Sequence, residues 1–120
     1  MKNWVGRWLI AVSVIHTIFA VAVFGEVLAS IIKRGVFNTV GGDLMTAAAV
    51  WFVLFGAMLF IGGLAISALE KASPARLPKS IGWSLLVLGI VGVTLMPASG
   101  FWLVFPPAIA VLVAKERERR

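Results

Sequence analysis

The chain has 120 residues, 61% hydrophobic and 13% charged, with a formal charge of +6. A soluble globular domain is nearer half apolar and a quarter charged, so this composition points to a membrane. No cysteine is present, which excludes disulfides, thiolate metal sites and cysteine nucleophiles, and the basic residues gather at the ends of apolar runs and at the C-terminus, where they suit lipid headgroups rather than nucleic acid.

The first apolar run, Trp8 to Gly25, is 18 residues without a charge. As a helix it measures about 27 Å, close to a hydrocarbon core of about 30 Å. It is expected to continue through EVLASIIKR and to span 4–34. Lys33 and Arg34 suit a helix C-terminus, and Gly35 suits the left-handed residue that ends it. A basic start, an apolar centre and AVA at 20–22 also resemble a signal peptide, but the segment is expected to be retained. Asp43 is placed to cap a second helix over 44–69, where 26 residues carry no charge.

The third and fourth helices share Ile81 to Ala114, 34 residues without a charge, broken by MPASG at 96–100. They are expected at 80–97 and 101–116. Each is short, roughly 25 Å. Pro97 ends the third, Gly100 helps the turn, and Pro106 and Pro107 are expected to kink the fourth. The fold class expected is all-α: an integral membrane four-helix bundle with a long first helix and a short, proline-broken third and fourth hairpin. A very apolar soluble bundle is the competing reading, and two runs of 18 or more residues weigh against it.

With the N-terminus inside, the inner segments hold nine basic residues: Lys2, Arg7, Lys71, Arg76, Lys79, Lys115, Arg117, Arg119 and Arg120. The outer side holds two, Lys33 and Arg34. This predicts an N-in, C-in topology. Trp4, Trp8, Trp83 and Trp102 lie near run ends, whereas Trp51 lies deeper. A long helix beside a short hairpin predicts a crevice opening outward, although a locally thin bilayer would fit the same lengths.

Lipid tails are as apolar as leucine, so helix pairing needs close approach and polar contacts. Gly56, Gly63 and Ser67 on the second helix, Gly82, Gly89 and Gly92 on the third, and Ala110 and Ala114 on the fourth allow it. They serve packing within the chain or a dimer face.

His16 lies mid-way along the first run, with Ser13, Phe19 and Ala20 on its face. It is a neutral imidazole bonded to a neighbouring helix, or a ligand-contacting or proton-carrying group. A metal or haem would need further ligands, which a single histidine does not supply. Glu26 is about 15 Å further along a straight helix and about 80° around it, a wet interfacial carboxylate or the outer end of a relay. The outer loop GVFNTVGGD, carrying Asn38 and Asp43, can turn tightly. It lacks the GK[ST] ending of a phosphate loop. No nucleophile–base–acid set is visible, so no catalytic residue and no metal site is expected.

The stretches WVGRWLIAVSVIHTIF, GVFNTVGGD, AAAVWFVLFG and IGWSLLVLGIVGVTLMPASGFWLVFPPAIA resemble a family of small bacterial four-helix membrane proteins described only as a domain of unknown function. The resemblance covers nearly the whole chain. It is carried by Gly6, His16, Gly35, Asn38, Trp51, Phe52, Gly82, Trp83, Pro97, Gly100, Phe101, Trp102 and Pro107. It implies a bacterial inner-membrane location and this architecture, but no chemistry. The basic residue that such sequences often place before the second helix is missing from GGDLMTAAAV. Small multidrug exporters are similar in size only, because they need a carboxylate where His16 stands. Emopamil-binding-like sterol isomerases place His and Glu together in a cavity, and this chain has one such residue well inside.

The expected function is binding of a lipid-like or other apolar small molecule in an outward-facing crevice. His16, Ser13, Glu26, Trp51 and Trp102 are the candidate site residues, with Asn38 and Asp43 in the outer loop. The expected partners are membrane lipids, such a ligand, and a second copy or a larger membrane complex; no cofactor is indicated. Proton-coupled transport of small cations through His16 or Glu26 and a structural subunit are the alternatives.

Overall fold

The computed structural model describes residues 3–72, 77–97 and 100–114. Among them are four α-helices and no strand. They are α1 (Val5–Arg34), α2 (Leu44–Ala72), α3 (Lys79–Leu95) and α4 (Phe105–Val113), with a short 3-10 helix, Gly100–Val104, before α4. Ala98 and Ser99 of the MPASG turn, positions 115 and 116 of the expected fourth helix, and Lys2, Arg76, Lys115, Arg117, Arg119 and Arg120 of the charge count lie outside the described residues.

α1 and α2 have 30 and 29 residues, about 45 and 43 Å of helix. Both are long and apolar enough to cross a membrane. α3 has 17 residues, about 25 Å. The 3-10 helix and α4, with 5 and 9 residues, together span about 23 Å. Pro106 and Pro107 fall in the first turn of α4. Amides there have no intrahelical acceptor, so proline starts the helix instead of kinking it. This corrects the single proline-kinked helix expected over 101–116.

α1 is not straight. Phe24 leaves helical geometry (φ −107°, ψ 19°), and Gly25 follows it, a residue that lends helices little rigidity. The straight-helix spacing expected between His16 and Glu26 therefore does not hold. Gly35, at φ +98°, ends α1 in a conformation that favours glycine.

The helices form two antiparallel hairpins, and small residues set how closely each closes. Gly6 of α1 lies on Gly63 and Ser67 of α2: a Cβ on Gly6 would stand 2.4 Å from the Ser67 amide nitrogen. Further along, Gly56 faces Thr17 and His16. In the second hairpin Gly82 takes Leu112, Gly89 takes the Phe105 ring and Gly92 takes the Phe101 ring. These glycines are spent on packing within the chain.

The hairpins meet sparingly. No Cα of α3 comes within 8 Å of a Cα of α2. The Trp8 indole N–H donates to the Leu103 carbonyl at 2.7 Å. Val5, Leu77 and Val111 form a buried apolar cluster that Trp4, Ile66 and Ile81 cover. The Phe55 and Phe101 rings lie 6.2 Å apart.

Candidate functional site

His16 projects from α1 where Gly56 lets α2 come close. A Cβ on Gly56 would lie 3.0 Å from His16 Cδ2, so glycine is what admits the imidazole. The ring stacks on Phe52 at 4.1 Å and 18°, and meets the Phe55 ring edge at 5.3 Å. Its Nε2 lies 2.7 Å from the Phe52 carbonyl oxygen. A carbonyl only accepts, so the proton sits on Nε2 and the imidazole donates. Phe24 and Phe19 also pack on Phe52, and Phe55 reaches Phe101. The result is a row of rings from the α1 kink, through His16, to the second hairpin.

The other sequence-derived candidates do not join His16. Trp51 is 70% exposed and has none of these ring contacts. Trp102 is 56% exposed; its indole N–H donates to the Pro97 carbonyl at 2.7 Å and its ring leans on Phe105. Glu26 is exposed, just past the kink. Ser13 is buried and donates to the Ile10 carbonyl at 2.6 Å. Asn38, at φ +51°, turns the α1–α2 loop in a region that asparagine tolerates.

Asp43 caps α2. One carboxylate oxygen accepts the Met45 amide at 3.0 Å, the other the Thr46 hydroxyl at 2.7 Å. The Thr46 hydroxyl, more than the backbone amides or the Arg34 charge, holds the Asp43 carboxyl below its ordinary range. Arg34 donates to Thr46 Oγ1 and to the Thr39 carbonyl, both at 3.4 Å, tying the end of α1 to the start of α2.

Two features escaped the sequence reading. The first is Glu70, buried near the end of α2. Its carboxylate accepts the Gly6 amide at 2.8 Å and the Val5 amide at 3.2 Å. Trp4, the residue before α1, has no side-chain cap to offer, so α2 supplies the acceptor that the first turn of α1 lacks. A lone carboxylate at the end of an apolar run, opposite the start of the preceding helix in a hairpin, was the available signal.

The second is a groove of about 440 Å³ between α1 and α2, lined mainly by Val14, Thr17, Ile18, Ala57, Phe60 and Ile61, with Ser13 and Gly56 at its floor. It runs along mid-helix, away from the α1–α2 loop. His16 and Trp51 are not among its walls. The Ser13 and Thr17 hydroxyls already donate to carbonyls of their own helix, so the walls are almost wholly apolar. No group of three or more His, Cys, Asp or Glu that could hold a metal occurs among the described residues.

The model of one protein family, described as a family of unknown function (DUF6463), matches residues 1–118. No curated protein and no solved structure matches the chain.

Proposed function

The chain belongs to DUF6463, a family of unknown function, and from that premise we propose that it is a multi-pass protein of a bacterial inner membrane, N-in and C-in, that holds the apolar chain of a lipid-like molecule in the α1–α2 groove. The observation that carries the membrane placement is exposure. In the most apolar stretch of α1 only 22% of residues are buried, and in that of α2 only 17%. A core helix of a soluble protein would be mostly covered, whereas bare apolar helices are at rest in lipid. The hairpins then cross side by side as a loosely joined four-helix bundle.

The groove carries the ligand class. Its size lies within the range of about 300–1,000 Å³ usual for small-molecule sites, and its walls recognise hydrocarbon rather than a polar head. His16 serves it indirectly, by setting α2 against α1.

Native mass spectrometry of protein from gentle detergent tests this. Retained lipid is expected in the unaltered protein and in Trp51→Ala, and is expected to be lost in Ala57→Trp, which fills the groove from an exposed position. No retained lipid in any of the three, or equal retention in all, removes the proposal. A structural subunit is the second reading, favoured by His16 spending its ring face and Nε2 on α2. Isolation of the protein with a stoichiometric partner, and without lipid, would select it.

A further inference from the structure

We propose that the tip of the α1–α2 hairpin lies on the lipid headgroup layer as a second membrane contact; this rests on the membrane-spanning reading above. Five apolar side chains are exposed there: Phe37 97%, Leu44 85%, Ile32 77%, Val36 70% and Met45 59%. Two come from α1 and α2 near their ends, two from the loop and one from the first residue of α2. Packing within the hairpin does continue to this end, since Ile31 and Thr46 are buried. The five are therefore displayed by a folded tip, not left over from a frayed one.

Lengths explain why lipid is the occupant. Trp4 and Trp8, ring to ring at 5.8 Å, sit where α1 begins, and indoles favour the membrane interface. About 20 residues cross the hydrocarbon. Counted from Trp8, where the charge-free run begins, that distance ends near Val27, just past the kink at Phe24; counted back from Leu69 on α2, it ends near Val50. An upright hairpin would lift everything beyond into water, bare apolar side chains included. The second hairpin, at about 25 Å, offers no cover at that height. A hairpin longer than the hydrocarbon is thick responds by tilting or kinking. α2 is continuous to Leu44, so the hairpin tilts as a body, with α1 bent at Phe24, and the tilt brings the five side chains down to the interface.

The charge pattern agrees. Lys33 is exposed beside Ile32, and Arg34 holds the loop that carries Phe37. Apolar side chains flanked by basic ones are the pattern of segments that lie in the headgroup layer. Asp43 and Glu26 share the tip, but Asp43 is turned to its own helix cap.

The absence of native cysteine makes the test direct. Phe37→Cys and Ile18→Cys, each carrying an environment-sensitive fluorophore, are reconstituted in vesicles of phosphatidylcholine and phosphatidylglycerol. Quenchers are aqueous iodide, a headgroup nitroxide lipid and a mid-chain nitroxide lipid. Position 37 is expected to emit blue-shifted, to resist iodide and to be quenched most by the headgroup nitroxide; position 18 is expected to be quenched most by the mid-chain nitroxide. If position 37 is open to iodide while position 18 is in the chains, the tip stands in water and the proposal fails alone. If both are open to iodide, the membrane-spanning reading fails and takes the tip with it.

Discussion

The Glu70 carboxylate, near the end of α2, accepts the backbone N–H of Gly6 in the first turn of α1 at 2.8 Å. The contact exists because Gly6 carries no Cβ to hold α2 away. It joins a buried carboxylate to amides that no residue of α1 itself can satisfy, and it closes the hairpin at the end opposite the loop. Glu70→Ala strands those amides in an apolar surround, at a cost of about 1–3 kcal/mol. Glu70→Gln, which keeps an acceptor but loses the charge, should cost less. Equilibrium unfolding in mixed micelles measures both. A Glu70→Ala protein as stable as the parent would show that water already satisfies these amides.

Neighbouring glycines on α2 should respond in opposite ways. At Gly63 an added Cβ would lie 2.7 Å from Ile10 Cγ1 and 2.9 Å from the Ile10 amide nitrogen. Gly63→Ala must push the helices apart, at about 1–3 kcal/mol. At Gly62 a Cβ meets nothing within 4 Å, so Gly62→Ala should be neutral or stabilise by up to about 1 kcal/mol through helix propensity. The same unfolding assay compares the pair. Equal effects would mean that α1 and α2 do not meet at this face.

His16 holds α2 by a stacked ring and one hydrogen bond to the Phe52 carbonyl. His16→Phe keeps a ring against Phe52 and loses the bond, which is worth about 0.5–1.5 kcal/mol. His16→Ala also loses the ring contact, a further ~0.5–1.5 kcal/mol beyond the area uncovered. The expected order of stability is parent, His16→Phe, His16→Ala. Lipid retention should follow the same order, because the groove is shaped by the same crossing. Unchanged fold with abolished retention in His16→Phe would instead make His16 a direct ligand contact.

Asp43 gives a pH signature. Its carboxyl titrates below the ordinary 3.8, chiefly because the Thr46 hydroxyl donates to the ionised form. A depressed folded-state value means that the stabilisation is present above the unfolded value and is lost as pH falls through the folded one. The effect therefore belongs to the acid side, below about pH 4. Carbon-detected NMR titration should place the Asp43 midpoint below 3.8 in the parent and closer to it in Thr46→Val. A midpoint indifferent to Thr46 would assign the shift to the amides or to Arg34.

Hydropathy and charge are properties of the chain read in one dimension, and what depends on them alone was legible. The two long apolar helices, the Asp43 cap, the Gly35 stop and the small residues available for close packing follow from local composition, spacing and backbone chemistry. Two places show where one-dimensional information ends. Whether Pro106 and Pro107 kink a helix or start one depends on where the helix begins, and the 3-10 turn before Phe105 decides it. His16, Trp51 and Trp102 are each polar or aromatic beside apolar sequence, and adjacent residues on a helix point about 100° apart. That rotation separates Trp51 from Phe52 and gives His16 to Phe52. Which glycine meets which backbone, which helix Glu70 caps and where a groove is left open depend on how α1 and α2 rotate and cross. Tertiary packing alone set those angles, because apolar attraction has no direction and only shape and hydrogen bonding choose which faces meet.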